Sequence, residues 1–547
     1  MNDKKMRDML KRTLGKLPLT AEMMQILKPI SGELPCGYRL DRMEEVLPEW
    51  ISSVKDARKR ADPNQPRNVL IVASLRWWLE YCTALGLLLT GLGHHVDIAY
   101  LPYRTWWEPA DAFDLRRHRL YLRHTLAPLE GLIGLQDVST IPDRGLSDAI
   151  RKSVEEQSRI DVQYTLQRED ILLDQESEDL DLYYLRQGRN KVAANAAFDL
   201  LAHDRYDVVL IPNGSILEFG VFYRVARYLG VPTVTIEFGE QRERMWLARN
   251  DEVMRLDTSL LWDVTRERGL NEEELEKLKT LYEARRGGRM WANFARQWQA
   301  GESKGAAEAR SQLGLDPEKP IALLCTNVVG DSLALGRQVF TAGMADWLEK
   351  TIRHFAQRPQ FQIVVRVHPG ELLGAGHPSV DIVRSAIPEM PPHVVLIPPD
   401  SKINTYDLIE LAHVGLVYTT TVGMEMAMNG VPVVVGGLTH YRDKGFTQDP
   451  ETLQEYLSIV DQLLRRPLGQ KLPREQVELA WNYAYRFFFE YPFPFPWHLI
   501  DFWEDIRTRP LTSIFSDSTD RYASTIDALL GKPISWGKDN RWGGTGS

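Results

Sequence analysis

The sequence predicts an α/β protein built from two doubly wound, Rossmann-like domains facing each other, with N-terminal helices and a helical insertion. Three observations lead there. The chain has 547 residues, more than one hydrophobic core holds. Short uninterrupted apolar runs, such as Asn68-Val-Leu-Ile-Val-Ala73, read as strands buried on both faces. These runs alternate with helical patterns in two separate blocks, which implies two parallel sheets with helical crossovers.

Residues 1–65 form the N-terminal helical segment. Met6, Met9, Leu10, Leu14 and Leu17 recur at helical spacing among lysines and arginines. Such a stretch can lie on anionic lipid or pack as a helix with a solvated face. The run Asp62-Pro63-Asn64-Gln65-Pro66 punctuates the entry to the first domain, 66–317. There Asn68–Ala73 is a strand, Trp78–Leu92 a helix stopped by Gly93, and His95–Tyr100 the next strand. From about 102 to 200 the pattern is helical and charged, and reads as an insertion on this domain. The sheet resumes at Asp207–Pro212 and Pro232–Glu237, and 241–317 reads as helical, leading into a linker.

The second domain, 318–485, opens on the strand Ile321–Cys325. Strands at Phe361–Val367, Val394–Ile397, Val414–Tyr418 and Pro432–Val435 follow, separated by helices at 339–356, 379–386 and Met424–Asn429. Residues 486–547 are a crossover segment and tail. Its aromatic stretch can stack on sugar rings or pack back onto the first domain.

Bulk composition narrows the function classes. A formal net charge of −9 excludes general nucleic-acid binding, which needs surplus Lys and Arg against phosphate. Cys36, Cys82 and Cys325 show no metal-ligand spacing and read as idle thiols of a reducing compartment. No metal site or bound cofactor is expected. The start is charged and lacks a secretory core stretch, and the most apolar run, Thr83–Gly93, is far short of the ~20 residues that cross a bilayer. A cytoplasmic protein is expected, able to rest at the inner face of the plasma membrane through residues 1–17.

The chemistry gathers at the strand ends of the second domain, where open parallel sheets bind ligands. Arg366 and His368 sit where one strand ends and a loop begins, and suit a phosphate, with Pro369 fixing the turn and Glu371 close behind. Thr419, Thr420 and Thr421 run from a strand into a helix, where hydroxyls and free amides meet an anion. The same threonines also suit a helix cap. Gly423 allows close backbone approach. Glu425 suits a sugar or ribose hydroxyl, or equally the dipole of the first helical turn. Asn404 and Asp407 precede a further helix, His440 follows the last strand, and Asn327 and Asp331 follow the first. All these loops fall on one sheet edge.

The order Thr326-Asn-Val-Val-Gly-Asp-Ser332, then HPGE from 368, INTYDL from 403, YTTTVGMEMAMNGVPVVV from 418 and THYRDKGFT from 439 resembles the capsule polysaccharide biosynthesis proteins, which include bacterial Kdo transferases. The resemblance covers about 321–450 well and the first domain loosely. It implies the glycosyltransferase-B (GT-B) architecture and a nucleotide-sugar donor, a CMP- or UDP-sugar, whose phosphate is held by His368, Pro369 and Thr419–Thr421. Related enzymes often carry serine in that cluster; threonine keeps the hydroxyls.

The expected reaction is metal-independent glycosyl transfer to a glycan or lipid-linked acceptor bound by the first domain. Arg366, His368 and the helix start would stabilise the leaving phosphate. Inversion would need a carboxylate base, for which Glu237 and Glu218 are the candidates. A nucleotide-sugar epimerase of the same architecture, or a non-catalytic binding or scaffold protein of a polysaccharide-assembly machine, are the rival readings, since one fold hosts many activities.

Overall fold

The structure, a computed structural model, describes residues 19–26, 39–61, 65–174, 176–203, 205–288, 301–374, 378–517 and 521–536. The basic segment 1–17, Cys36, residues 62–64 of the punctuating run and the tail beyond 536 lie outside the described residues.

The described strands are β1 (Asn68–Ala73), β2 (His95–Tyr100), β3 (Gly134–Asp137), β4 (Val208–Pro212), β5 (Thr233–Phe238), β6 (Arg244–Arg249), β7 (Ile321–Cys325), β8 (Gln362–Arg366), β9 (Val394–Ile397), β10 (Val414–Val417), β11 (Val433–Val435) and β12 (Phe493–Pro494). They form two sheets, ordered β12-β6-β5-β4-β1-β2-β3 and β11-β10-β7-β8-β9. In the first, β1 to β5 run parallel, while β6 and β12 close one edge antiparallel. The second is parallel throughout. Each sheet reverses strand order beside its first strand, between β1 and β4 and between β7 and β10. The fold is therefore two doubly wound, Rossmann-like domains.

Apolar content explains most of these elements. Every residue of β4 and β7 is buried, because helices cover both faces of the sheet. The helix Arg76–Gly91 between β1 and β2 is buried along nearly its whole length. The aromatic run after 486 crosses back: Phe493 pairs with Met245, and Phe495 and Trp497 enter the core of the first domain.

Two expectations need correction. The stretch 102–200 is not helical throughout. Its helix Ala112–Leu126 leads into β3, which extends the sheet beside β2. The true helical projection is the pair Asp148–Leu166 and Glu178–Leu201, packed on each other and on the helix Leu217–Tyr228. The stretch 241–317 likewise opens with a strand, β6, before its helices.

The helical projection also reaches the second domain. Both carboxylate oxygens of Glu169 accept main-chain N–H bonds at the start of the helix Met344–Ala356, from Met344 at 3.0 Å and Ala345 at 2.7 Å. Gly330, in the loop after β7, has φ +74° and packs against the main chain of Gln163 and Gln167, where a side chain would not fit. Among the described residues no helix is long and apolar enough to cross a membrane.

Candidate functional site

A cleft of about 580 Å3 opens between the two domains at the carboxyl ends of both sheets. Its second-domain wall comes from the loops after β7, β8 and β10. Register explains the grouping: Cys325 stands level with both Arg366 and Val417. Two residues on, Asn327, His368 and Thr419 are therefore level too, across two strand spacings or about 10 Å. Hydrogen bonds tie the loops together. Thr326 Oγ1 accepts from the His368 amide at 3.0 Å, and Asn327 Oδ1 accepts from the Thr419 amide at 3.1 Å.

His368 Nδ1 accepts from the Gly370 amide at 2.9 Å, which places the ring proton of the neutral imidazole on Nε2. Pro369 holds the short turn that makes this possible. Loss of water around the ring, with the Arg366 charge behind it, lowers the His368 pKa to about 4. The ring is a neutral donor.

His440 is set the other way. The Tyr483 hydroxyl donates to the His440 carbonyl oxygen at 2.7 Å, so its oxygen receives His440 Nδ1–H at 2.9 Å and meets Thr258 at 2.6 Å. This arrangement satisfies every short contact. It leaves Nε2 a lone-pair acceptor, buried and without a partner among the described residues. The ring stacks on Phe487 at 3.9 Å, and a π-helical turn over Arg486–Glu490 places that phenylalanine there. Burial lowers the His440 pKa to about 3.

The first-domain wall carries Glu237 at the end of β5. Asn213 Nδ2 donates to its Oε2 at 2.8 Å, and the Phe238 amide donates to its Oε1 at 3.1 Å. The chain is strained here. Leu75, Asn213 and Leu217 all line the cleft with φ near +60°, a conformation non-glycine residues keep only when the surroundings enforce it. Aromatic side chains, Trp77, Trp78, Trp106, Tyr164 and Trp246, fill much of the remaining wall. Among the described residues the buried indole N–H groups of Trp106 and Trp246 have no hydrogen-bond partner.

Of the residues picked from sequence, the cleft is lined by Glu237, Asn327, Asp331, His368, Thr419, Thr420, Thr421 and His440. The others have different work. Glu218 does not line the cleft: it is buried against Arg186 at 2.9 Å, which also pairs with Asp161 at 3.1 Å. Arg366 does not line the cleft: its guanidinium donates to the carbonyls of Pro398 at 2.8 Å and Ser401 at 3.3 Å. Glu371 is fully buried and accepts from the Ser379 hydroxyl. Asn404 donates to the carbonyls of Arg286 and Gly301, and Asp407 accepts from the Lys304 and Gly305 amides, so both fasten the connection between domains. A Cβ at Gly423 would overlap the Tyr441 hydroxyl, which donates to the Thr420 carbonyl at 2.6 Å.

Glu425 stands in the first turn of the helix Val422–Met428, as its dipole reading expected, but it is buried in an ion pair with Arg285 at 2.7 Å and does not line the cleft. Arg285 also pairs with Glu240 at 2.8 Å and lines the cleft, tying a first-domain loop to a second-domain helix. Sequence reading missed Arg285, Glu240 and the tryptophans. The one available signal was the position of Glu240 three residues past Glu237, at the end of a strand. The helix expected to bind an anion at its start, Val422–Met428, is only seven residues long, and its Gly423 and Met424 amides bond back to the carbonyls of Thr420 and Thr421. Among the described residues no group of three or more His, Cys, Asp or Glu side chains is placed to hold a metal. Cys82 and Cys325 are buried free thiols, and burial raises the Cys325 pKa to about 12.

No protein-family model matches the chain, and no curated protein matches it. Among solved structures the chain is similar to KpsC, beta Kdo 2,4 transferase, of Thermosulfurimonas dismutans: 16% identity, 51% of this chain and 79% of that one, TM-score 0.31. A UDP-GlcNAc 2-epimerase from Neisseria meningitidis bound to UDP-GlcNAc is similar at 14% identity, over 76% of this chain and 94% of that one, with TM-score 0.23. An E. coli trehalose-6-phosphate structure bound with UDP-2-fluoro glucose is similar at 12% identity, over 82% and 99%, with TM-score 0.30. Identities and TM-scores this low carry no argument about this chain, and the architecture rests on the strand orders themselves: two Rossmann-like domains.

Proposed function

We propose that the protein is a glycosyltransferase that takes a CMP- or UDP-sugar in the interdomain cleft and transfers the sugar, without a metal, to a glycan or lipid-linked acceptor of surface-polysaccharide synthesis. One observation carries the reading. The neutral donors of the second domain and a positioned carboxylate of the first line the same cleft.

The donor phosphate would sit across the ends of β7, β8 and β10, where His368 Nε2–H and the hydroxyls of Thr420 and Thr421 meet it. These groups are preorganised dipoles, effective in a cleft that excludes much of the water. Arg285 contributes little net charge, since Glu240 and Glu425 already offset it. His440 Nε2, an acceptor, suits a ribose or sugar hydroxyl rather than the phosphate. Glu237, held by Asn213, would remove the proton from the acceptor hydroxyl. The new bond forms between that oxygen and the anomeric carbon, while the bond from the anomeric carbon to the phosphate oxygen breaks and its electron pair leaves with the nucleotide. A base and a leaving-group site on opposite walls suit a single displacement with inversion.

The test is turnover of CMP- and UDP-sugars with and without acceptor, in the presence of a chelator. Glu237→Gln should lose about 100-fold or more in rate, the usual worth of a positioned base, and still bind nucleotide. Wild-type turnover in that variant would overturn the assignment of the base. Conversion of donor alone to an epimer would overturn the transferase reading.

A further inference from the structure

We propose that the cavity between the helical projection and the second domain is an acceptor subsite built for an uncharged or amino-bearing glycan and closed to anionic ones. The inference rests on the donor-cleft reading for its place in the reaction and adds the chemical class of the second substrate.

This cavity, about 1000 Å3, adjoins the donor cleft and shares Trp106, Tyr164, Val328 and Asp331 with it. An acceptor lying there leads toward Glu237. Its aromatic wall is a cluster: Trp106 meets Trp107 edge-on at 4.4 Å and Tyr164 tilted at 6.3 Å. Trp107 is nevertheless 45% exposed. An indole left open inside a cavity offers the flat apolar face on which the C–H side of a pyranose packs, with its hydroxyls free to reach polar groups at the rim.

The charged groups of the cavity have one sign. Glu178 and Asp181 stand in the first turn of the helix Glu178–Leu201, and Asp331 faces from the second domain. Among the described residues no Lys, Arg or His lines the cavity, and neither Glu178 nor Asp181 takes part in an ion pair. Carboxylates accept hydrogen bonds from sugar hydroxyls and attract an ammonium group. They repel the carboxylate of a uronic or ulosonic acid, more strongly as the ligand displaces water between them. Geometry favours a fixed groove here, because Gly330 and Glu169 hold the projection against the second domain.

The experiment is calorimetric titration of the full chain with three oligosaccharide series of equal length: neutral, de-N-acetylated amino, and uronate-containing. CMP and UDP binding is measured alongside. The neutral or amino series should bind at least tenfold more tightly than the uronate series. Trp107→Ala should weaken that binding about tenfold and leave nucleotide affinity unchanged. The double variant Glu178→Gln, Asp181→Asn should narrow the gap between the neutral and uronate series. Equal binding of uronates by the wild type, glycan binding indifferent to Trp107→Ala, or no glycan binding in any series would overturn the proposal. Glycan binding without nucleotide binding would sink the donor-cleft reading alone and leave the groove's selectivity standing.

Discussion

At the scale of single residues, the arginines nearest the donor cleft are committed within the protein, and neutral groups are left for the donor phosphate. Arg366 is the clearest case. Its place at a strand end suggests a phosphate ligand, yet its guanidinium donates to two carbonyls, and its charge adds to burial in lowering the pKa of His368. Arg285 is equally committed, to two carboxylates. Replacing it by methionine should cost about 3–5 kcal/mol of stability, because Glu425 would stay buried without its partner; the midpoint of urea unfolding reads this, and an unchanged midpoint would contradict the buried pair. The motif residues His368 and Thr419–Thr421 are legible in the sequence because they follow apolar runs directly. The roles of Glu218, Glu371 and Glu425 are not, since a local sequence gives the carboxylate and hides the distant arginine or serine that occupies it.

At the scale of elements, legibility follows burial. Strands with water on neither face, such as β1, β4 and β7, announce themselves as unbroken apolar runs. The edge strands do not. β3 reads Gly-Leu-Gln-Asp with every position half-buried, and β6 begins and ends on arginine. Both therefore merge, in sequence, with the helical segments around them. The element whose function is least visible is the loop that carries Glu169. It caps the helix Met344–Ala356 from the other domain, a contact that substitutes for the missing side-chain cap at Gly343. Glu169→Ala should free the Met344 and Ala345 amides, and hydrogen exchange there should speed up by about tenfold, the equivalent of roughly 1.4 kcal/mol of local opening. Protection as strong as in the wild type would show that the cap is idle.

At the scale of the whole molecule, the two switch points face each other across one cleft, and its histidines make stability depend on pH. Both His368 and His440 titrate lower in the folded chain, at about 4 and about 3 against an ordinary 6.5. Below pH 6.5 the unfolded chain therefore binds more protons than the folded one, and stability falls as pH drops, by about 1.4 kcal/mol per pH unit for each ring. Urea unfolding at pH 7, 6 and 5 should show this slope, and His440→Gln should reduce it. A slope unchanged by that substitution would mean the ring is not buried neutral.

The most direct measurement on the central claim is the affinity of His368→Ala for CMP and UDP, set beside that of Glu237→Gln. If one cleft holds the donor by its phosphate, the first variant binds at least tenfold more weakly and the second binds like the wild type. Unchanged affinity in His368→Ala would place the nucleotide elsewhere, and the interdomain cleft would not be the donor site.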